Sequence, residues 1–196
     1  MKIIDKNLKF TQTPSDRSCT KYIVLHPAAA EKCTVEDVHR WHRDGNGWFG
    51  IGYHFFVAKD GKIYRGRPVN SVGAHAPARN GNSIGVCFEG DYMREKTMPQ
   101  AQIEAGAMLI AWLRKQYRTI EKVEAHRDVT ATDCPGKYFP FEKIARGATA
   151  KMARSALRQS AHLEKEDLTF DFDGDRKVTA RDARKILREA AGLGDG

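Results

Sequence analysis

The chain has 196 residues, 41% of them hydrophobic, which leaves room for one ordinary domain and a small appendage. No apolar run reaches the length of about 18 residues needed to cross a membrane, and Met1 to Asn7 lack the apolar segment of a Sec-type signal. A formal net charge of +8 points to an anionic partner such as a nucleic acid, a membrane surface or a polyanionic wall polymer, and no recognition helix or aromatic sheet signature supports the first of these.

In chain order, residues 1–20 are polar and read as an irregular arm. The apolar run Tyr22-Ile23-Val24-Leu25 predicts a first core strand that ends in His26. Thr34-Val35-Glu36-Asp37 has the form of a capping box, and Val35, Val38 and Trp41 follow at helical spacing, so a short helix is expected over 34–43. Asp44-Gly45-Asn46-Gly47 ends it. Tyr53 to Val57 and Lys62 to Arg65 flank Lys59-Asp60-Gly61, which predicts an antiparallel hairpin. Residues 66–82, rich in Gly, Pro and Asn, form a long loop carrying His75. A buried strand follows over 83–89, a long amphipathic helix runs to about 117, and Val123-Glu124-Ala125 is a short strand. Phe139 to Ile144 begin a closing helix. Helices alternate with strands while the hairpin is antiparallel, so the expected fold is α/β with a mixed central sheet flanked by helices.

Four cysteines, Cys19, Cys33, Cys87 and Cys134, do not form the pattern of a disulfide framework in a chain of this size, and Cys87 reads as a small core residue. Cys134 stands out because it shares a short loop with His126, in Ala125-His126-Arg127-Asp128-Val129-Thr130-Ala131-Thr132-Asp133-Cys134-Pro135-Gly136. An imidazole and a thiolate are both zinc ligands, and Cys-Pro-Gly reads as a turn that holds the sulfur. A catalytic zinc usually takes three protein ligands, and the best third donor is His26 at its strand end. The alternative is a satisfied surface histidine and a buried cysteine.

The segments Tyr22 to His26, Trp41-His42, Gly52-Tyr53-His54-Phe55, Asp60-Gly61, Gly73-Ala74-His75-Ala76, Asn82 to Cys87, and Ala125-His126 through Cys134-Pro135 stand in the order found in one family. Over roughly residues 20–145 the chain resembles the zinc-dependent N-acetylmuramoyl-L-alanine amidases of the phage-lysozyme type and their relatives, the peptidoglycan recognition proteins. Its details look most like endolysins of phages or prophages of Gram-positive bacteria. The resemblance implies His26, His126 and Cys134 as zinc ligands and Tyr53 and Thr132 as active-site residues. It further implies hydrolysis of the amide between N-acetylmuramic acid and L-alanine in peptidoglycan, reached from the cytoplasm through another, holin-type protein. Two departures are visible. Pro27 follows the first ligand where many members have a second His, and Thr132 stands where some members carry Lys and recognition proteins often carry Thr, which leaves the general base open. A non-catalytic peptidoglycan-binding or regulatory protein is the alternative, and the presence of Cys134 argues against it.

Individual residues keep two readings each. Tyr53 either donates to the reacting centre or fills the core, and Thr132 either donates to the oxyanion or caps its turn. His75 either faces the cleft as a substrate-binding residue or is structural. Trp41 and His42, with Trp48 and Phe49, either line a glycan or stem-peptide groove or belong to the core. Asp128 is a candidate partner for a ligand histidine.

Beyond the catalytic domain, 1–146, residues 147–166 read as a helical connector and 167–196 as a tail resembling half of an EF-hand or dockerin. Asp171, Asp173, Asp175 and Asp182, with the carbonyl of Lys177, match a calcium loop. Arg176 stands where Gly is usual and Asp182 where a bidentate Glu is usual, and an acidic helix cap is the other reading. A helix with Ala183, Ile186, Leu187 and Ala190 on one face is expected after it.

Overall fold

The computed structural model describes residues 1–147 and 179–190. Six strands form one sheet: β1 (Ile3–Ile4), β2 (Tyr22–Pro27), β3 (Phe55–Val57), β4 (Ile63–Arg65), β5 (Ser83–Phe88) and β6 (Lys122–Ala125). Their order across the sheet is β1-β4-β3-β5-β2-β6. Only the β3–β4 hairpin is antiparallel; every other neighbouring pair is parallel. The mixed sheet expected from the alternation of elements is therefore present, with helices on both faces. The arm differs from its irregular reading, because Ile3 and Ile4 pair with Ile63 and Tyr64 and close the sheet at that edge.

Side-chain alternation divides the strands between two faces. Ile23 and Leu25 of β2, Phe55 and Val57 of β3, and Ile84, Val86 and Phe88 of β5 pack in one cluster with Leu109, Ile110 and Leu113 of the helix α2 (Gln100–Gln116). Phe139 and Ile144 join the same cluster, the latter from the short helix α3 (Phe141–Ala145). On the other face Phe56 and Cys87 meet Val35 and Val38 of α1 (Val35–Arg40) and Ile51. His26, one residue after Leu25, therefore points to the α1 side of the sheet.

Helix α1 begins as its capping box predicts: Asp37 N–H donates to Thr34 Oγ1 at 3.1 Å and Thr34 N–H to Asp37 Oδ2 at 3.0 Å. It ends one turn earlier than expected as a regular helix and continues as a wider turn, Trp41–Gly45, in which Asn46 N–H reaches back to Trp41 O. Helix α2 lies close to the sheet at Gly106, where a Cβ would fall 2.6 Å from the Phe88 ring. It is also tied there by buried Gln102, whose Nε2 donates to Val57 O at 2.9 Å and Glu89 O at 2.8 Å while its Oε1 accepts from Tyr92 Oη at 2.6 Å. In the tail, α4 (Ala180–Ala190) forms where a helix was expected; Ala183 and Ile186 are buried, whereas Leu187 is 40% exposed. The connector, apart from Gly147, lies outside the described residues. No described helix is long and apolar enough to cross a membrane.

Gln102→Leu is expected to remove three buried hydrogen bonds, although Val57 O keeps Glu89 N–H and the Tyr92 hydroxyl can turn to Glu89 O, and to lower stability by about 1–3 kcal/mol. Urea unfolding of the variant beside the native protein measures it, and a loss below about 0.5 kcal/mol would show that these groups find other partners.

Candidate active site

The site grows out of the β2–β6 pairing. Leu25 is in register with Ala125, so the next residues, His26 and His126, leave adjacent parallel strands at the same level. Their rings lie 4.5 Å apart, centroid to centroid. After β6 the chain turns through a single 3₁₀ turn, His126–Asp128, and returns with Cys134. Three of the bonds that set that loop bear on the site. Arg127 N–H donates to Cys134 O at 2.8 Å, Ala125 N–H to Asp128 Oδ2 at 2.9 Å, and Cys134 N–H to Thr132 Oγ1 at 3.3 Å. Asp128 therefore holds the backbone before His126 rather than the imidazole itself, and the exposed Thr132 caps the turn with its oxygen.

The three ligand atoms of His26, His126 and Cys134 lie within 4.8 Å of one another. Cys134 Sγ is 3.9 Å from His26 Nδ1. One nitrogen of His126, Nε2, is buried and has no hydrogen-bond partner among the described residues, so a buried polar atom is left for something to satisfy. Two imidazoles and a thiol at this separation suit a tetrahedral nitrogen–sulfur metal site. The residues present therefore fit the group that the resemblance implies.

Electrostatics keep the imidazoles neutral, the form that ligates. Burial pushes His26 well below the usual imidazole range, and His126 and His42 push the same way. His126 is lowered by burial. The Cys134 thiol is pushed up to about 12 by burial, against a weaker opposite pull from Arg127. Without a cation the sulfur keeps its proton.

His75, at 8% exposure, sits behind His26 rather than open to the cleft: its Nδ1 is 3.1 Å from His26 Nε2, and its Nε2 is 3.3 Å from Ser83 Oγ. Its seat needs two glycines, since a Cβ on Gly73 or Gly85 would fall 2.5 Å from the ring. Burial, then the charges of His26, His54, His126 and Arg67, hold His75 well below the ordinary imidazole range. The Tyr53 ring lies 5.0 Å from His26, and burial, followed by the three nearby thiols, raises its phenol well above the ordinary value, so it stays a proton donor.

His42 faces the site. Its ring lies 5.4 Å from Tyr53 and 4.8 Å from Trp48, and its Nδ1 accepts from Gly52 N–H at 3.0 Å. Burial, then Arg67 and His39, lower it to about 4. Trp41 is 41% exposed, Trp48 39% and Phe49 37%, so this aromatic set belongs to the surface and not to the core. Trp48 and Phe49 line a pocket of about 320 Å³ with Arg67, Gly73 and Ala74.

Two residues, buried His54 and half-buried Arg17, had no role in the sequence reading. His54 is fully buried; its Nε2 donates to Ser71 O at 2.9 Å and its Nδ1 accepts from Gly85 N–H at 3.0 Å. Arg17 Nη1 donates to the same Ser71 carbonyl at 2.9 Å. The partners of His54 lie far along the chain, whereas Arg17 joins the distant Ser71 carbonyl to its own neighbours Cys19 O and Thr20 Oγ1; the only local sign was a histidine inside an apolar run. Of the expected calcium ligands only Asp182 is described: it is buried, and its Oδ2 accepts from Thr179 N–H at 2.7 Å and Thr179 Oγ1 at 2.8 Å, as a cap of α4. Asp171, Asp173, Asp175 and Lys177 lie outside the described residues.

A mixed sheet with two histidines at the ends of adjacent strands and a cysteine on the loop that follows defines an α/β protein with a candidate metal site. Residues 16–137 match the family described as N-acetylmuramoyl-L-alanine amidase, and the chain belongs to that family. It is 36% identical over 136 residues to peptidoglycan-recognition protein SC2 of Drosophila simulans, covering 64% of this chain and 73% of the relative. It is 35% identical over 127 residues to the endolysin of Klebsiella phage KP32, covering 61% and 82% respectively. Among solved structures, N-acetylmuramoyl-L-alanine amidase LysC from Clostridium intestinale URNW superposes with a TM-score of 0.70 at 38% identity, covering 74% of this chain and 95% of that one.

A divalent cation held by this set must displace the Cys134 proton, while both histidines are already neutral. Its apparent affinity is expected to rise about tenfold per unit between about pH 7 and 9, with one proton released per ion. Calorimetry in buffers of different ionisation enthalpy counts that proton; a flat pH profile would mean the sulfur does not ligate as a thiolate.

Proposed function

We propose that this chain is a zinc-dependent peptidoglycan amidase of the endolysin kind, which cleaves the bond between N-acetylmuramic acid and L-alanine. The observation that carries the reading is the complete His26, His126, Cys134 set within 4.8 Å beside an exposed aromatic cleft. The family match and the endolysin relatives support it.

The chemistry a zinc ion supplies in such a set is acidification of a water and polarisation of a carbonyl oxygen. The chain's residues do the rest. His26 and His126 offer neutral nitrogens from fixed strand ends. Tyr53 keeps its proton and donates it as a hydrogen bond toward negative charge that develops beside His26. Thr132 accepts from Cys134 N–H, which leaves its own hydroxyl proton as a second donor. Trp48 and Phe49 form a wall for the sugar or stem peptide, with the His42 ring 4.8 Å from Trp48, and Arg67 places a cation in the pocket lining. The net charge of +8 adds attraction to anionic wall polymers, and wall binding should weaken as salt screens it; binding that ignores salt would remove that element of the reading.

The deciding experiment is hydrolysis of purified peptidoglycan by the native protein and two variants, with metal content measured on each. The native protein is expected to release new N-terminal alanine. Cys134→Ser is expected to lose zinc and activity together. Tyr53→Phe is expected to keep zinc and lose about 10²–10³ in rate. Binding without new alanine termini would favour the recognition-protein alternative, and new reducing sugar ends would mean a different bond is cut.

A further inference from the structure

We propose that Ser83 selects which nitrogen of His26 faces the metal, acting through His75 as a hydrogen-bond relay. The proposal rests on the metal-site reading above and assigns positioning roles to Ser83 and His75, neither of which touches the substrate.

The relay follows from counting protons. Ser83 begins β5, is fully buried, and has one hydroxyl proton to give. Arg79 O lies 2.8 Å from Ser83 Oγ, and His75 Nε2 lies 3.3 Å from it. A carbonyl only accepts, so at the shorter contact the serine donates. Toward His75 its oxygen then presents lone pairs alone, and Nε2 must carry the ring proton. In the neutral ring Nδ1 is bare, and at 3.1 Å it accepts from His26 Nε2–H. The remaining nitrogen of His26, Nδ1, is bare in turn, and it is the atom that faces Cys134 Sγ.

The opposite polarity fails at both ends. His75 protonated at Nδ1 would turn a bare Nε2 toward a serine oxygen whose proton is already committed. It would also force His26 Nε2 to accept, which places the His26 proton on Nδ1 and removes it as a ligand. Turning the ring over offers no escape, because it would put carbons where Nδ1 and Nε2 now meet His26 and Ser83. Gly73 and Gly85 leave room for the imidazole, and the His75 backbone N–H is held by Asn80 Oδ1 at 2.8 Å. The relay is tied back to the metal loop as well: the Arg79 guanidinium pairs at 2.7 Å with Glu124 of β6, two residues before His126.

The test uses the full chain with ¹⁵N-labelled histidine, metal-free and zinc-loaded. Long-range proton–nitrogen correlations report which nitrogen of each ring is protonated, and competition with a chromophoric chelator reports zinc affinity. The native protein is expected to show His75 and His26 both protonated at Nε2. Ser83→Ala should populate both His75 tautomers and weaken zinc roughly tenfold or more, the usual scale for losing an outer partner of a ligand. Ser83→Thr keeps the hydroxyl and should restore both readouts. Arg79→Ala loosens the same turn but keeps its carbonyl, so it should lower thermal stability and leave tautomer and affinity unchanged. Native His75 protonated at Nδ1, or Ser83→Ala with native tautomer and native affinity, would overturn the relay. If the native protein takes up no zinc, the metal reading falls, and the metal-free tautomers still decide the relay.

Discussion

The parallel pairing of β2 with β6 is the constraint on which the rest of the site depends. Tyr22 to Leu25 lie opposite Lys122 to Ala125, and the two chains leave the sheet together, so His26 and His126 emerge side by side. Ligands in open α/β sheets gather outside the carboxyl ends of the strands, where backbone stops pairing and side chains converge. A slip of one residue would turn His26 toward α2 and separate it from His126. Apolar burial opposes that slip, because Ile23 and Leu25 would lose the α2 cluster in which both are fully buried. The metal geometry is thus a consequence of core packing several residues away.

Behind that pair the structure packs imidazoles where most folds place hydrocarbon. His26, His54 and His75 are all buried, and the rings of His54 and His75 lie 5.8 Å apart. Burial lowers each one first; His126 and His42 add to it at His26, Arg17 and Arg67 at His54, which falls to about 3, and the neighbouring histidines at His75, so the group is held as neutral rings. Neutral rings need one donor and one acceptor partner each, and buried polar networks stabilise only when fully satisfied. His54 meets this with Ser71 O and Gly85 N–H, and His75 with His26 and Ser83. Gly85 serves both neighbours at once, giving its N–H to His54 and its missing side chain to His75.

What could be read from the sequence was local. The capping box of α1, the Asp60-Gly61 hairpin, the α2 stripe and the apolar strands all carry their signal within a few residues, and each is found in place. The short β1 carries no period of its own; it exists because β4 offers an edge, and two isoleucines in a polar arm do not announce that. The cluster of His26, His126 and Cys134 was legible as a candidate site because a His and a Cys shared one loop and a strand ended in His. The place of His75 was not, because its position behind His26 is set by Ser83 and Gly85 on β5 as well as by Gly73 beside it. His54 was hidden for the same reason: inside an apolar run it looks like part of a strand, and its partners at Ser71 and Gly85 are brought in only by the fold. Asp128 lies near His126 in sequence, yet its carboxylate bonds the Ala125 backbone, so nearness along the chain was no guide to contact.

The fold keeps the aromatic pocket apart from the cluster of His26, His126 and Cys134. The pocket beside the site is lined by residues from Pro14 to Ala74, none of them a metal ligand. The sulfur ligand stands on a loop whose bonds run among residues 125–136: Arg127 N–H to Cys134 O, Gly136 N–H to Asp133 O, and Cys134 N–H to Thr132 Oγ1. Changing Cys134 alone removes a sulfur from this loop and leaves the pocket wall and the pairing of β2 with β6 untouched. One architecture can therefore serve a protein that holds a wall fragment and a protein that cleaves it, and relatives named for recognition and for lysis stand side by side in the family. In this chain the sulfur is present and its loop is tied to the strand that carries His126. Its thiol also lies where burial makes a proton hard to lose unless a cation takes its place. A buried thiol beside two neutral imidazoles is a donor set that suits a divalent cation.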